Sequence, residues 1–194
     1  MSAERAGGTL LILGGLAAVP LWLVFTNVHG PTSFNENHVT LGLDMHAWGL
    51  LLGVIPNVLV AAGLWLARPV LVLGGGPLTR LGYGLVLAGV LASAVLDLLW
   101  RALGPPLLMP LIAAGLLTLA LAPRRDAGSM TQIRGTLLIL GVLLAVAFLW
   151  ALTPLDVFDS VGGYRIYGAM AHLLGGLAWA VVGLLVLRRD PAAG

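Results

Sequence analysis

Of 194 residues, 59% are hydrophobic and 9% charged, whereas a soluble domain carries roughly a quarter charged residues. The ten basic residues are all arginine and face eight acids for a net charge of +2. No basic surface is therefore dense enough to neutralise a run of phosphates, and nucleic acid is excluded as a partner. Cysteine is absent, which removes disulfides, thiolate catalysis, zinc–sulfur sites and iron–sulfur clusters.

A helix crosses the ~30 Å hydrocarbon layer with about 20 mostly apolar residues. Six segments meet that requirement, at 8–27, 45–67, 81–103, 106–122, 135–153 and 167–187. The runs are apolar all round and lack the alternation of barrel strands, so the expected fold class is all-α. The first run is longer than a signal-peptide core and no small-x-small cleavage site follows it, so it reads as a true span. The expected architecture is one transmembrane domain of three hairpins, 8–67, 81–122 and 135–187.

The second segment carries His46, Leu50, Gly53 and Asn57 at steps of four, three and four, which places them on one helical face. Pro56 removes a backbone donor beside Asn57 and is expected to kink the helix near mid-membrane. In the third segment Gly89, Ser93, Asp97 and Arg101 follow at a strict spacing of four. Asp97 one turn before Arg101 reads as an intrahelical ion pair, or as a proton or cation acceptor tuned by the arginine. The fourth segment is the shortest, bounded by Pro105, Pro106 and Arg124. The sixth presents His172, Gly175, Gly176, Trp179 and Gly183 on one side, a pattern of close helix packing or of approach by a flat macrocycle.

Arginine position sets the expected orientation, because cytoplasmic loops are enriched in positive charge. With six spans, Arg5, Arg68, Arg80, Arg124, Arg125, Arg134, Arg188 and Arg189 fall on one side, and Arg101 and Arg165 on the other. That predicts a multi-pass protein of the plasma (inner) membrane. Both termini are then cytoplasmic, and the loops 28–44 and 154–166 lie outside.

An internal similarity is also present. Gly8-Thr9-Leu10-Leu11-Ile12-Leu13-Gly14 recurs as Gly135-Thr136-Leu137-Leu138-Ile139-Leu140-Gly141. Each copy leads to a Trp (Trp22, Trp150), an outer loop and a helix with a histidine in its outer part, His46 or His172. Helices 1–2 and 5–6 therefore read as parallel repeats of one hairpin. Helices 3–4 are a candidate third copy without the histidine.

Polar groups inside spans are costly and mark the candidate site. They are His46 and His172 as cofactor ligands, and Asp44, Asn57, Asp97 and Arg101 as the lining of an outward-facing polar cavity. Two readings stand side by side. Histidines on facing helices suit the axial ligands of a haem b, or imidazole ligands of copper or zinc. Against a simple pair, His46 lies 22 residues from Arg68 and His172 16 from Arg188, a depth mismatch of ~9 Å if the inner ends are level. The other reading is a small transporter or channel, or an accessory subunit of a membrane complex, built on Asn57, Asp97 and Arg101. The partners expected are the lipid bilayer and other membrane subunits. No phosphate loop, Gly-x-Ser-x-Gly elbow or His-Glu-x-x-His occurs.

Overall fold

The structure is a computed structural model that describes residues 2–28, 39, 41–72, 74–100, 108–123, 129–152 and 161–189. Every regular element among the described residues is helical. Helix α1 is Ala3–Val28. Helix α2 covers 45–72 in three stretches: Met45–Gly49, a π-helical turn at Leu50–Val54, and Ile55–Val72. Helices α3 and α4 are Pro77–Trp100 and Met109–Leu121, and α5 is Ser129–Ala151. Helix α6 covers 161–187, again interrupted: Val161–Gly168, a π turn at Ala169–Leu174, and Gly175–Leu187.

Several ends differ from the apolar runs because helix caps, not hydropathy, decide where a helix starts. Gly74 adopts φ +71° in the turn before α3, and Pro77 then opens the helix with its φ already set and no N–H to leave unpaired. Asp44 opens α2, its Oδ1 accepting the Ala47 N–H at 2.8 Å, which satisfies one of the orphan donors of a first turn. Pro110 stands in the first turn of α4. Four stretches are long and apolar enough to cross a membrane: His46–Val72, Pro77–Leu99, Ser129–Ala151 and Arg165–Leu187. Helix α4 is apolar but has 13 residues, which rise about 20 Å.

Helices that follow one another in sequence pack together, α1 on α2 through to α5 on α6, and α6 returns to α1. Short connections favour such antiparallel neighbours, and the contacts show the direction. On α1, Gly7 lies against Gly63 and Ala67 while Gly14 lies against Pro56 and Val60 of α2. On its other side Gly8 lies against Gly183 and Leu187, and Gly15 against Gly176 and Ala180 of α6. A Cβ at Gly15 would meet the Gly176 carbonyl and the Ala180 nitrogen, so α1 and α6 touch backbone to backbone, the contact small residues permit between membrane helices. Leu11, Leu64, Val86, Leu116, Ile133, Leu140 and Val182 fill the core between the helices. The outer surface is also apolar, with Leu13, Trp65, Leu99, Ile139 and Leu149 exposed, as lipid contact requires.

These contacts gather the described arginines at one end. Gly7 beside Ala67 and Gly8 beside Leu187 bring Arg5, Arg68, Arg188 and Arg189 together. The Tyr83 hydroxyl donates to the Leu64 carbonyl at 3.0 Å, so Arg80 joins them. Arg134 donates from Nε to the Ala120 carbonyl at 2.8 Å and from Nη2 to the Ala122 carbonyl at 2.7 Å. Those are the carbonyls that the end of α4 leaves without helical partners, and a cation there also complements the helix dipole. Among the described arginines only Arg165 belongs to the opposite end.

The two copies of the repeated heptapeptide meet different neighbours. Gly8 is clamped by α6 while Gly135 faces open space, and Gly14 packs on α2 while Gly141 packs on Leu116 and Leu117 of α4.

Candidate functional site

Pro56 has no N–H to give to the carbonyl four or five residues before it, Leu52 or Leu51. The π turn lies just ahead of that proline, with the Ile55 N–H bonded to the Leu50 carbonyl in place of the Leu51 one. π turns take one residue more per hydrogen bond and recur at functional sites. The extra residue also rotates everything on its outer side relative to a regular helix. The buried stripe of α2 accordingly includes Trp48, Gly49, Leu52, Gly53, Pro56, Val60 and Leu64, with His46, Leu50 and Asn57 half-buried at its edge. Of the four residues expected on one face, Gly53 alone is fully buried.

What Gly53 faces is Asp97. A Cβ built on Gly53 would run into the Asp97 Oδ2, Cγ and Cβ, so the carboxylate of α3 lies directly on the backbone of the α2 π turn. Asp97 is 3% exposed, and its Oδ1 is buried with no hydrogen-bond partner. The antiparallel register that sets Gly53 opposite Asp97 sets Asn57 level with Ser93, and both are half-buried. The strict four-residue series on α3 does not hold one face. Gly89 packs on Ile112 of α4 and Asp97 on α2, because each step of four advances about 40° around a helix. Arg101, the expected ion-pair partner, lies outside the described residues, as do most of the outer loop 28–44 and residues 153–160.

The histidines belong to different neighbourhoods. His46 sits in the first turn of α2, and its Nδ1 is buried without a hydrogen-bond partner. His172 lies in the π turn of α6, its ring edge-on to Tyr167 with centroids 6.2 Å apart and an interplanar angle of 83°. Five residues separate side chains by roughly 140° on an α-helix, and a turn closed from i to i+5 brings them to one side. The Tyr167 hydroxyl reaches Met109 Sδ of α4 at 3.8 Å. Helix α1 packs on both histidine-bearing helices and supplies a depth gauge. Gly14 is level with Pro56 of α2, and Gly15 with Gly176 of α6. His46 lies ten residues beyond Pro56 and His172 four beyond Gly176; with Gly15 one residue further along α1 than Gly14, the offset is about five residues, ~7.5 Å at 1.5 Å per residue. The extra residue of a π turn shortens that by only ~1.5 Å.

Asp44 is an exposed helix cap. Among the described residues no group of three His, Asp or Glu side chains is placed to hold a metal ion. Sequence reasoning passed over Thr79, which is 1% exposed with its hydroxyl unpartnered. It also passed over Tyr167 and Met109, because an i to i+5 contact has no counterpart in α-helical periodicity. Comparison with protein families, curated proteins and solved structures gave no match.

Proposed function

We propose that this chain is a small transporter or channel, in which Asp97 takes up a proton or small cation at the interface of α2 and α3. The observation that carries the reading is the Asp97 carboxylate, buried on the π turn at Gly53 with Oδ1 unpartnered. A carboxylate at such depth is stable only when a proton or cation neutralises it, and intramembrane acids of this kind mark ion pathways. The proposal includes six spans in the plasma (inner) membrane with both termini cytoplasmic. Support for that orientation comes from six described arginines at one end against Arg165 at the other. It also includes α1–α2 and α5–α6 as parallel repeats, each leaving from the arginine end and returning to it.

The second reading is a redox or cofactor-binding protein with a haem b or metal ion on His46 and His172. The orphaned Nδ1 of His46 favours it. The ~7.5 Å offset in depth weighs against one haem bridging the pair, since its axial imidazoles face each other across a single iron.

Reconstitution into vesicles tests the choice. A pH or cation gradient is expected to drive flux through the wild type, and Asp97→Asn is expected to abolish it while the colourless protein stays folded. A purified protein with a haem absorption band that His46→Ala and His172→Ala both remove, and no flux, would overturn the transport reading.

A further inference from the structure

We infer that the ligand of Asp97 is a proton and not a metal cation, an assignment that rests on the transport reading and narrows it. The first argument is space. Oδ2 already lies against the Gly53 backbone so closely that a methyl group at Gly53 would overlap it. A hard metal ion needs several oxygens around it at about 2.0–2.6 Å, and no room for one is left between the carboxylate and α2. The second argument is the donor set. Around Asp97 the described residues offer its own two oxygens, the Ser93 hydroxyl one turn away on α3 and the Asn57 side chain one turn from Gly53 on α2. No three acidic or histidine side chains converge anywhere among them. A proton needs neither volume nor a shell: one O–H bond forms on the carboxylate.

Among the described residues no fixed charge is placed to do the same work. From α2 the nearest titratable side chains are His46 and Asp44, seven residues or more outward of Gly53. Helix α4, which packs on α3, has no titratable side chain in Met109–Leu121. Arg101 lies outside the described residues. Among the described residues it is therefore the proton held by Asp97 that makes the site neutral.

Infrared spectroscopy of the protein in lipid bilayers tests this. The other seven acids, Glu4, Glu36, Asp44, Asp126, Asp156, Asp159 and Asp190, all lie outside the apolar runs of the sequence. At neutral pH one protonated-carboxyl C=O band is expected. It should shift in heavy water, vanish in Asp97→Asn, and keep its intensity when potassium is exchanged for sodium or lithium. Gly53→Ala keeps the carboxyl and presses a methyl group on it, so the band should move in frequency; this variant answers the question if Asp97→Asn does not fold. Absence of the band at neutral pH, or its loss on adding sodium, lithium or calcium, overturns the assignment. Flux measurements separate the two levels. The band without flux of any ion supports the proton on Asp97 and removes the transport reading. Sodium flux lost in Asp97→Asn, with no band, keeps that reading and removes the proton.

Discussion

The contact of Gly53 with Asp97 is open to a thermodynamic test in which a sign changes. In a helix interior, replacing Gly by Ala gains about 1 kcal/mol from reduced backbone entropy. At Gly53 the added methyl would overlap the Asp97 carboxyl group, and overpacking of this kind costs about 1–3 kcal/mol. The neighbour cannot simply turn away, since Asp97 is 97% buried, being 3% exposed. Gly53→Ala should therefore destabilise the wild type by up to ~2 kcal/mol. In an Asp97→Ala background the carboxyl atoms are gone and only the Cβ, 3.0 Å away, is left to give slightly. There the same substitution should be neutral or stabilising by up to ~1 kcal/mol. The coupling energy is then at least ~1 kcal/mol, well outside the ~0.3–0.5 kcal/mol scatter of independent sites. Reversible unfolding in detergent–lipid mixtures, run on the four proteins of the cycle, measures it. Additive effects, with Gly53→Ala equally costly in both backgrounds, would falsify the packing of Asp97 on the π turn.

Other consequences follow from single contacts. Arg134→Ala should destabilise by about 2–3 kcal/mol, because two charge-assisted hydrogen bonds to the end of α4 are lost together; Arg134→Lys should recover only part, having no fork. An unfolding midpoint unchanged in the alanine variant would mean the clasp is solvent-screened. Tyr83→Phe should cost about 1 kcal/mol, since the Leu64 carbonyl keeps its helical partner; a loss of several kcal/mol would reveal a further role for that hydroxyl. The chain has no cysteine, so single introduced thiols report sidedness cleanly. A membrane-impermeant maleimide added outside should label Val39→Cys and spare Ser2→Cys and Arg189→Cys, and the reverse pattern would invert the orientation.

Hydropathy alone made the helices legible: the six apolar runs all fall within observed helices or overlap them for most of their length. Their ends were not, because Pro77, Asp44 and Pro110 act through backbone donors that a hydropathy window does not weigh. The candidate site was half legible. Asp97 stood out as an acid in an apolar run, open to reading as an ion pair with Arg101 or as a proton or cation acceptor, and Pro56 announced a disturbance in α2. What stands beside Pro56 is a hydrogen bond displaced by one residue. The face His46, Leu50, Gly53, Asn57 was counted with α-helical steps across a turn that does not take them. The pairing of Tyr167 with His172 was missed for the same reason, since the two meet across the π turn at Ala169–Leu174.

Depth along a helix survives such an insertion better than angle does, and this decides how the two histidines are weighed. One extra residue in a turn displaces axial position by no more than ~1.5 Å, while it turns every later side chain by about 100°. Counting from Arg68 and Arg188 gave a mismatch of ~9 Å that depended on level inner ends. Gly14 and Gly15, adjacent on α1 and seated on Pro56 and Gly176, give ~7.5 Å with no reference to those ends. The two counts, from different inner landmarks, agree within one residue on the axial separation. Azimuth, which the sequence could not carry through two π turns, is what joins Gly53 to Asp97. The functional assignment accordingly rests on a carboxylate seated on the π turn of α2, and not on the paired histidines, whose likeness lies in sequence spacing.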